Sequence, residues 1–200
     1  MRNFKLPAAA IVIGLGTAAF ADGHAGGWVL NGEQSVVSFG SIKNDDTGEA
    51  HTFSGLTGSV SPDGMASVEI DLNSLETNID IRNERMIEHV FKNAPSATLK
   101  AQVDMADFDG LAVGESTVTE IDGDVVFLGV EAPVYMDVFV MRLDAENVIV
   151  TTQSMMFIST DELEINEGID MLQELASLDS ITRTAPVSFR LMFSAGATQS

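Results

Sequence analysis

The residues able to do chemistry in this chain are few, and their spacing assembles no reaction centre. The three histidines, His24, His51 and His89, stand far apart with no His-x-x-x-His pair, and there is no cysteine. A transition-metal site needs several such ligands at close spacing, so none is expected. Asp104, Asp107, Asp109 and Gly110 look faintly like a calcium loop. With Gly110 at position six, positions one and twelve fall on Met105 and Ser116, where oxygen ligands including a bidentate Glu are required. The segment is therefore read as a solvated turn. Gly14 and Gly16 imitate a dinucleotide fingerprint but follow no strand. No Gly-x-Ser-x-Gly or Ser-x-x-Lys occurs to supply a serine nucleophile. The paired acids Asp161 and Glu164 read as surface groups on a helix. No catalytic residue, cofactor or metal is expected, and the chain is read as a non-enzyme.

The cations are more informative because there are only 10 Lys and Arg against 30 Asp and Glu. Arg82, Arg85, Lys92 and Lys100 lie close together in sequence, and Arg82 and Arg85 share one face of a helix. They are candidates for clamping a phosphate or a carbonyl head group. The competing expectation is local pairing with Asp80, Glu84 and Glu88.

Residues 1–21 form an export signal. Arg2 and Lys5 make a charged start, Leu6 to Ala19 is apolar and rich in small residues, and Ala19-Phe20-Ala21 predicts cleavage after Ala21. The apolar run is short for a membrane span. Cleavage removes Arg2 and Lys5 and no acid, which takes the formal charge from −20 to −22. Such a surface repels phosphate backbones, so nucleic acid is excluded as a partner. Without cysteine there is no lipoprotein anchor and no disulfide framework. The expected location is the periplasm of a Gram-negative cell, with residues 22–200 as one domain. A chain of this length buries roughly 70% of its unfolded surface.

The strand pattern dominates the rest. Ser67 to Leu72 alternates, with Val68, Ile70 and Leu72 inward. Ala97 to Met105 alternates with Leu99, Ala101 and Val103 inward. Val187 to Phe193 closes the chain with Val187, Phe189, Leu191 and Phe193 inward. Ile121-Asp122-Gly123-Asp124 carries a hairpin signal, and Asp144 to Asn147 joins another pair of strands. Two helices are expected, over Asp80–Phe91 with Asn78 or Asp80 as N-cap and over Asp161–Leu178 with a stripe of Ile165, Ile169, Leu172 and Ala176. About eight short strands with two short helical insertions predict a mainly β fold, an eight-stranded antiparallel β-barrel whose closure removes its edges. Between Asp124 and Met141 both strand faces are apolar, where a sheet packed on one side would alternate. That favours a sheet curled round a cavity. The second apolar face, Val126, Leu128, Tyr135, Phe139 and Met141, either lies under the 161–178 helix or forms a homodimer interface.

Three stretches resemble the YceI-like family. Ser67-Val-Glu-Ile-Asp-Leu-Asn-Ser-Leu-Glu-Thr-Asn78 matches its alternating strand and turn. Arg82-Asn-Glu-Arg-Met86 with Pro95-Ser-Ala-Thr-Leu-Lys100 matches its helix start and next strand. Gly123-Asp-Val-Val-Phe-Leu-Gly-Val-Glu-Ala-Pro-Val134 matches its Gly-x-Leu-Thr-Ile-x-Gly-Val-Thr-x-Pro-Val hairpin. The order holds from Trp28 to Phe193. The resemblance implies a lipocalin-like barrel that binds polyisoprenoid or related amphiphilic lipids in the periplasm. The lumen residues expected to hold the chain are Phe39, Leu72, Leu99, Val103, Phe127, Val138, Phe189 and Leu191, with Arg82 and Arg85 as head-group candidates. Two function classes follow: a carrier of an isoprenoid, either a polyprenyl chain or a quinone, or a non-enzymatic accessory to a membrane redox partner, a quinone or cytochrome system, with a packed barrel.

Overall fold

A computed structural model describes residues 26–108 and 110–196. Residues 1–21, expected to be an export signal, lie outside the described residues, as do His24 and Asp109. The strands in chain order are β1 (Trp28–Leu30), β2 (Val36–Lys43), β3 (Thr47–Phe53), β4 (Leu56–Val60), β5 (Met65–Asp71) and β6 (Leu75–Glu76). After them come β7 (Ser96–Gln102), β8 (Ser116–Phe127), β9 (Val130–Arg142), β10 (Asn147–Thr152), β11 (Met156–Ser159) and β12 (Thr184–Ala195). Helix α1 is Asp80–Arg85, and α2 is Asn166–Leu175.

The pairings turn twelve segments into eight barrel staves. β1 and β2 both pair with β12, at Leu30↔Phe193 and at Val37↔Phe189, so they are one stave broken by a 3-10 turn. β3 with β4, β5 with β6, and β10 with β11 are broken staves in the same sense. Pairing runs antiparallel round the ring, and β12 against β1 and β2 closes it. The result is a mainly β fold, a closed eight-stranded antiparallel barrel with two helices. Alternation places one side of each stave inside, as at Val187, Phe189, Leu191 and Phe193, all buried.

Three local expectations are corrected. Asp122-Gly123 makes no hairpin: β8 runs straight through it, with Asp122 and Asp124 exposed and Gly123 opposite Val134. The turn sits at Leu128-Gly129, where both residues take positive φ, 51° and 83°. That conformation closes a two-residue hairpin, and Gly129 adopts it without strain. The helix expected over Asp80–Phe91 is α1 followed by a π-helical turn, Met86–Val90. Its N-cap is Ile79, with no side-chain cap. Asn83 Oδ1 instead accepts from the Thr77 backbone N–H at 2.9 Å and the Thr77 hydroxyl at 2.6 Å. The helix expected over Asp161–Leu178 is shorter at both ends. Glu164 and Ser177 have positive φ, 56° and 51°, which a continuing α-helix does not permit.

Helix α2 does not cover the second apolar face. It packs on the Met86–Val90 turn, where a Cβ on Gly168 would lie 2.4 Å from the His89 carbonyl oxygen. Only glycine allows that approach. The expected stripe Ile165, Ile169, Leu172 and Ala176 faces the barrel end. Tyr135 stays 73% exposed on the outer wall, and Phe139 lies there beside Val118. Among the described residues no helix is long and apolar enough to cross a membrane.

Candidate ligand cavity

The barrel interior is not filled. Two cavities of about 400 Å³ each lie within it, both inside the size range of ligand pockets. The first is at the end roofed by α1, the Met86–Val90 turn and α2. Its wall carries a run of aromatic rings: Phe39 stacks on Phe53 at 5.3 Å, Phe53 meets Phe91 at 5.9 Å, and Phe91 meets Phe127 edge-on at 6.0 Å. These spacings suit favourable aromatic pairs. The second cavity lies towards the other end, lined by Trp28, Val138, Val148 and Leu191 among others.

All eight lumen residues expected from the sequence face one cavity or the other. Phe39, Leu72 and Phe127 line the first; Val103, Val138 and Leu191 line the second; Leu99 and Phe189 line both. Leu99 and Phe189 therefore stand at the waist between the two spaces. Phe39, Leu99 and Val103 are only half-buried, whereas Leu72, Phe127, Val138, Phe189 and Leu191 are buried.

The cations divide. Arg82 and Arg85 both line the first cavity. Lys92 is exposed on the turn after the π-helical segment, and Lys100 is exposed on β7. The expected pairing of the arginines with Asp80, Glu84 or Glu88 is not what forms. Arg82 Nη2 donates to Glu49 Oε1 at 2.9 Å, and Arg85 Nη1 donates to the Leu175 carbonyl at 3.3 Å. Arg82 thus ties α1 to β3, and Arg85 ties α1 to the end of α2.

Sequence reasoning missed the polar corner around this pair. Lys43 Nζ donates to the same Glu49 oxygen at 2.9 Å. Burial pushes the Glu49 pKa up, but the hydrogen bond from Lys43 and the charges of Arg82 and Lys43 outweigh it and hold the carboxylate below its ordinary range. Beside them His51 is 2% exposed on the inner face of β3, its Nε2 3.2 Å from the Ser41 hydroxyl. Burial and the Arg82 charge lower its pKa below the ordinary 6.5, against the opposing pull of Glu49. The only available signal was parity: His51 and Phe53 occupy the inward positions of one strand.

Two acids of the faintly calcium-like run, Asp104 and Asp107, make local hydrogen bonds. Asp104 Oδ1 accepts from the Ala106 backbone N–H, and Asp107 Oδ2 accepts from the Thr119 hydroxyl at 2.8 Å. Asp161 accepts from the Asn166 side chain on the surface. Among the described residues no three His, Asp or Glu side chains gather as a metal site requires.

What the arrangement offers is a largely apolar, aromatic-walled space with one polar corner near its roof. The YceI-like domain model matches residues 28–192. The structure is similar to a polyisoprenoid-binding domain from Saccharophagus degradans implicated in plant cell wall breakdown. Their TM-score is 0.81 with 36% identity, covering 84% of this chain and 98% of that one. BcnA from Burkholderia cenocepacia shares the fold, with TM-score 0.61 and 17% identity over 84% of this chain and 99% of that one. A search of curated proteins finds no match. With the family model spanning nearly the whole described barrel, the chain belongs to the YceI-like domain family.

Proposed function

We propose that this protein binds and carries an amphiphilic isoprenoid lipid in the barrel lumen, as a non-enzymatic periplasmic protein whose export signal is removed after Ala21. The observation that carries this reading is the pair of apolar cavities inside a closed barrel. The 36% identity to a polyisoprenoid-binding domain supports the choice of ligand class. An open lumen also speaks against the rival reading of a packed accessory barrel.

The mechanism is solvation. A prenyl chain leaving water for the lumen gains about 0.8 kcal/mol for each buried CH₂. Ten such groups supply roughly 8 kcal/mol gross, and ordering costs take part of it. Micromolar affinity then needs no strong polar contact. The chain threads past Leu99 and Phe189 towards Trp28, and its polar end stays near Arg82 and Arg85.

Trp28 is the single tryptophan and lines the far cavity, so its fluorescence reports how deep the chain reaches. Titration of the purified protein with geranylgeraniol should shift Trp28 emission to the blue in a saturable way. No saturable change, with no displacement of a lumen-bound fluorescent lipid, rejects the reading.

A further inference from the structure

Among the described residues, one buried side-chain polar atom lacks a hydrogen-bond partner: His51 Nδ1. The ring is 2% exposed, faces the first cavity and packs against Phe39 at a centroid distance of 5.0 Å. Buried polar atoms are nearly always paired, and an unpaired one carries a desolvation penalty. Its other nitrogen, Nε2, is held by Ser41. The cations nearby are already engaged, since Lys43 and Arg82 both donate to Glu49 Oε1. A neutral imidazole nitrogen left without a partner is a seat for a neutral oxygen.

We propose, resting on the lipid-binding reading above, that His51 Nδ1 hydrogen-bonds a neutral hydroxyl or carbonyl oxygen at the head of the lumen ligand, and so makes the cavity select for it. Ser41 sets which role the nitrogen plays. If the Ser41 hydroxyl donates to Nε2, Nδ1 carries the proton and donates to the ligand. If Nε2–H donates to Ser41, Nδ1 is an acceptor. A ligand hydroxyl satisfies either tautomer, and a carbonyl satisfies the first. The lowered pKa of the ring agrees with a neutral imidazole, which keeps one nitrogen of each kind.

The test uses the purified exported protein and three C20 probes: geranylgeraniol, the same hydrocarbon without its hydroxyl, and geranylgeranyl monophosphate. Wild type should bind the alcohol about tenfold or more tighter than the hydrocarbon, because a site built for a hydroxyl rejects the analogue lacking it. His51→Leu should bring that ratio close to one. Independently of any variant, the His51 Nδ1 resonance of the ¹⁵N-labelled wild type should move on addition of the alcohol and stay fixed on addition of the hydrocarbon. An unchanged alcohol-to-hydrocarbon ratio in His51→Leu, or a static Nδ1 signal while the alcohol binds, overturns the role of His51 and leaves lipid binding standing. Tighter binding of the monophosphate than of the alcohol overturns the neutral-oxygen assignment. Failure of wild type to take up any of the three overturns the lipid-binding reading itself.

Discussion

Arg82 on the first helix donates to Glu49 on β3 at 2.9 Å, across 33 residues of chain, at the polar corner of a mostly apolar cavity. The pair does two things. It fastens α1 over the barrel end, and it neutralises one of the cations that a head-group clamp would use. Arg82→Ala should lower stability by about 1.5–3 kcal/mol, the range for a hydrogen bond to a charged group. A double-mutant cycle with Glu49→Gln measures the coupling directly. Additive losses in thermal unfolding would mean that the pair contributes nothing beyond its separate side chains.

Arg82→Ala with Arg85→Ala should weaken binding of a charged-head lipid more than of its uncharged analogue, because both side chains line the first cavity. Calorimetric titration with geranylgeranyl monophosphate and geranylgeraniol checks it. Equal loss for both, with a matching fall in melting temperature, makes the two arginines purely structural.

Acid should destabilise the protein in two stages. The folded pKa of His51 lies below its ordinary 6.5, so the unfolded chain takes up the proton first. Stability is complete above pH 6.5, falls as pH drops below it, and levels off below the folded pKa. The Glu49 pKa lies below its ordinary 4.5, so its contribution is complete above 4.5 and is lost as pH falls through the folded value. Melting curves against pH should lose the upper stage in His51→Leu and show a smaller lower stage in Glu49→Gln, since the hydrogen-bonded Asp144 carboxylate, also held below its ordinary range, still titrates there. A wild-type curve flat from neutral pH down to the Glu49 range contradicts the first stage.

Gly168→Ala tests the roof. The new Cβ would meet the His89 carbonyl at 2.4 Å and Val90 Cα at 2.7 Å, backbone atoms that cannot turn aside. Helix α2 must lift, at a cost of about 1–3 kcal/mol. Amide exchange over Met86–Val90 should accelerate more than exchange over β8 and β9. Uniform acceleration would place the damage elsewhere.

Phe127→Trp should reduce lipid uptake while costing less than about 1 kcal/mol, because an open cavity absorbs the extra volume that a packed core would not. Uptake and thermal unfolding measured on one preparation decide it. Unchanged uptake beside a large stability loss would show Phe127 to be packed core.

Much of this architecture is legible in the sequence because period-two patterns are local. Val187, Phe189, Leu191 and Phe193 declare their face without reference to any partner, and the ring closure follows from the need to remove edges. Phe39, Leu72, Leu99, Val103, Phe189 and Leu191 follow from the same parity, whereas Phe127 and Val138 lie where both faces are apolar and parity alone does not choose. What is not local is less legible. Asp122-Gly123 carries a turn signal, but register against β7 and β9 keeps it extended and passes the turn to Leu128-Gly129. The partner of Arg82 comes from a strand 33 residues away, so nearest-neighbour charges pointed to the wrong acids. His51 reads as an isolated histidine until β2 brings Ser41 beside it and the barrel closes over its other nitrogen.

The central claim is that the lumen carries an isoprenoid in the cell. The most direct measurement is native extraction: purify the protein without detergent, release its contents into organic solvent, and identify them by lipid mass spectrometry. The account predicts a polyprenyl-chain lipid with a neutral oxygen head, near one molecule per barrel. Protein that emerges clean, and stays clean after incubation with the organism's total lipid extract, contradicts it.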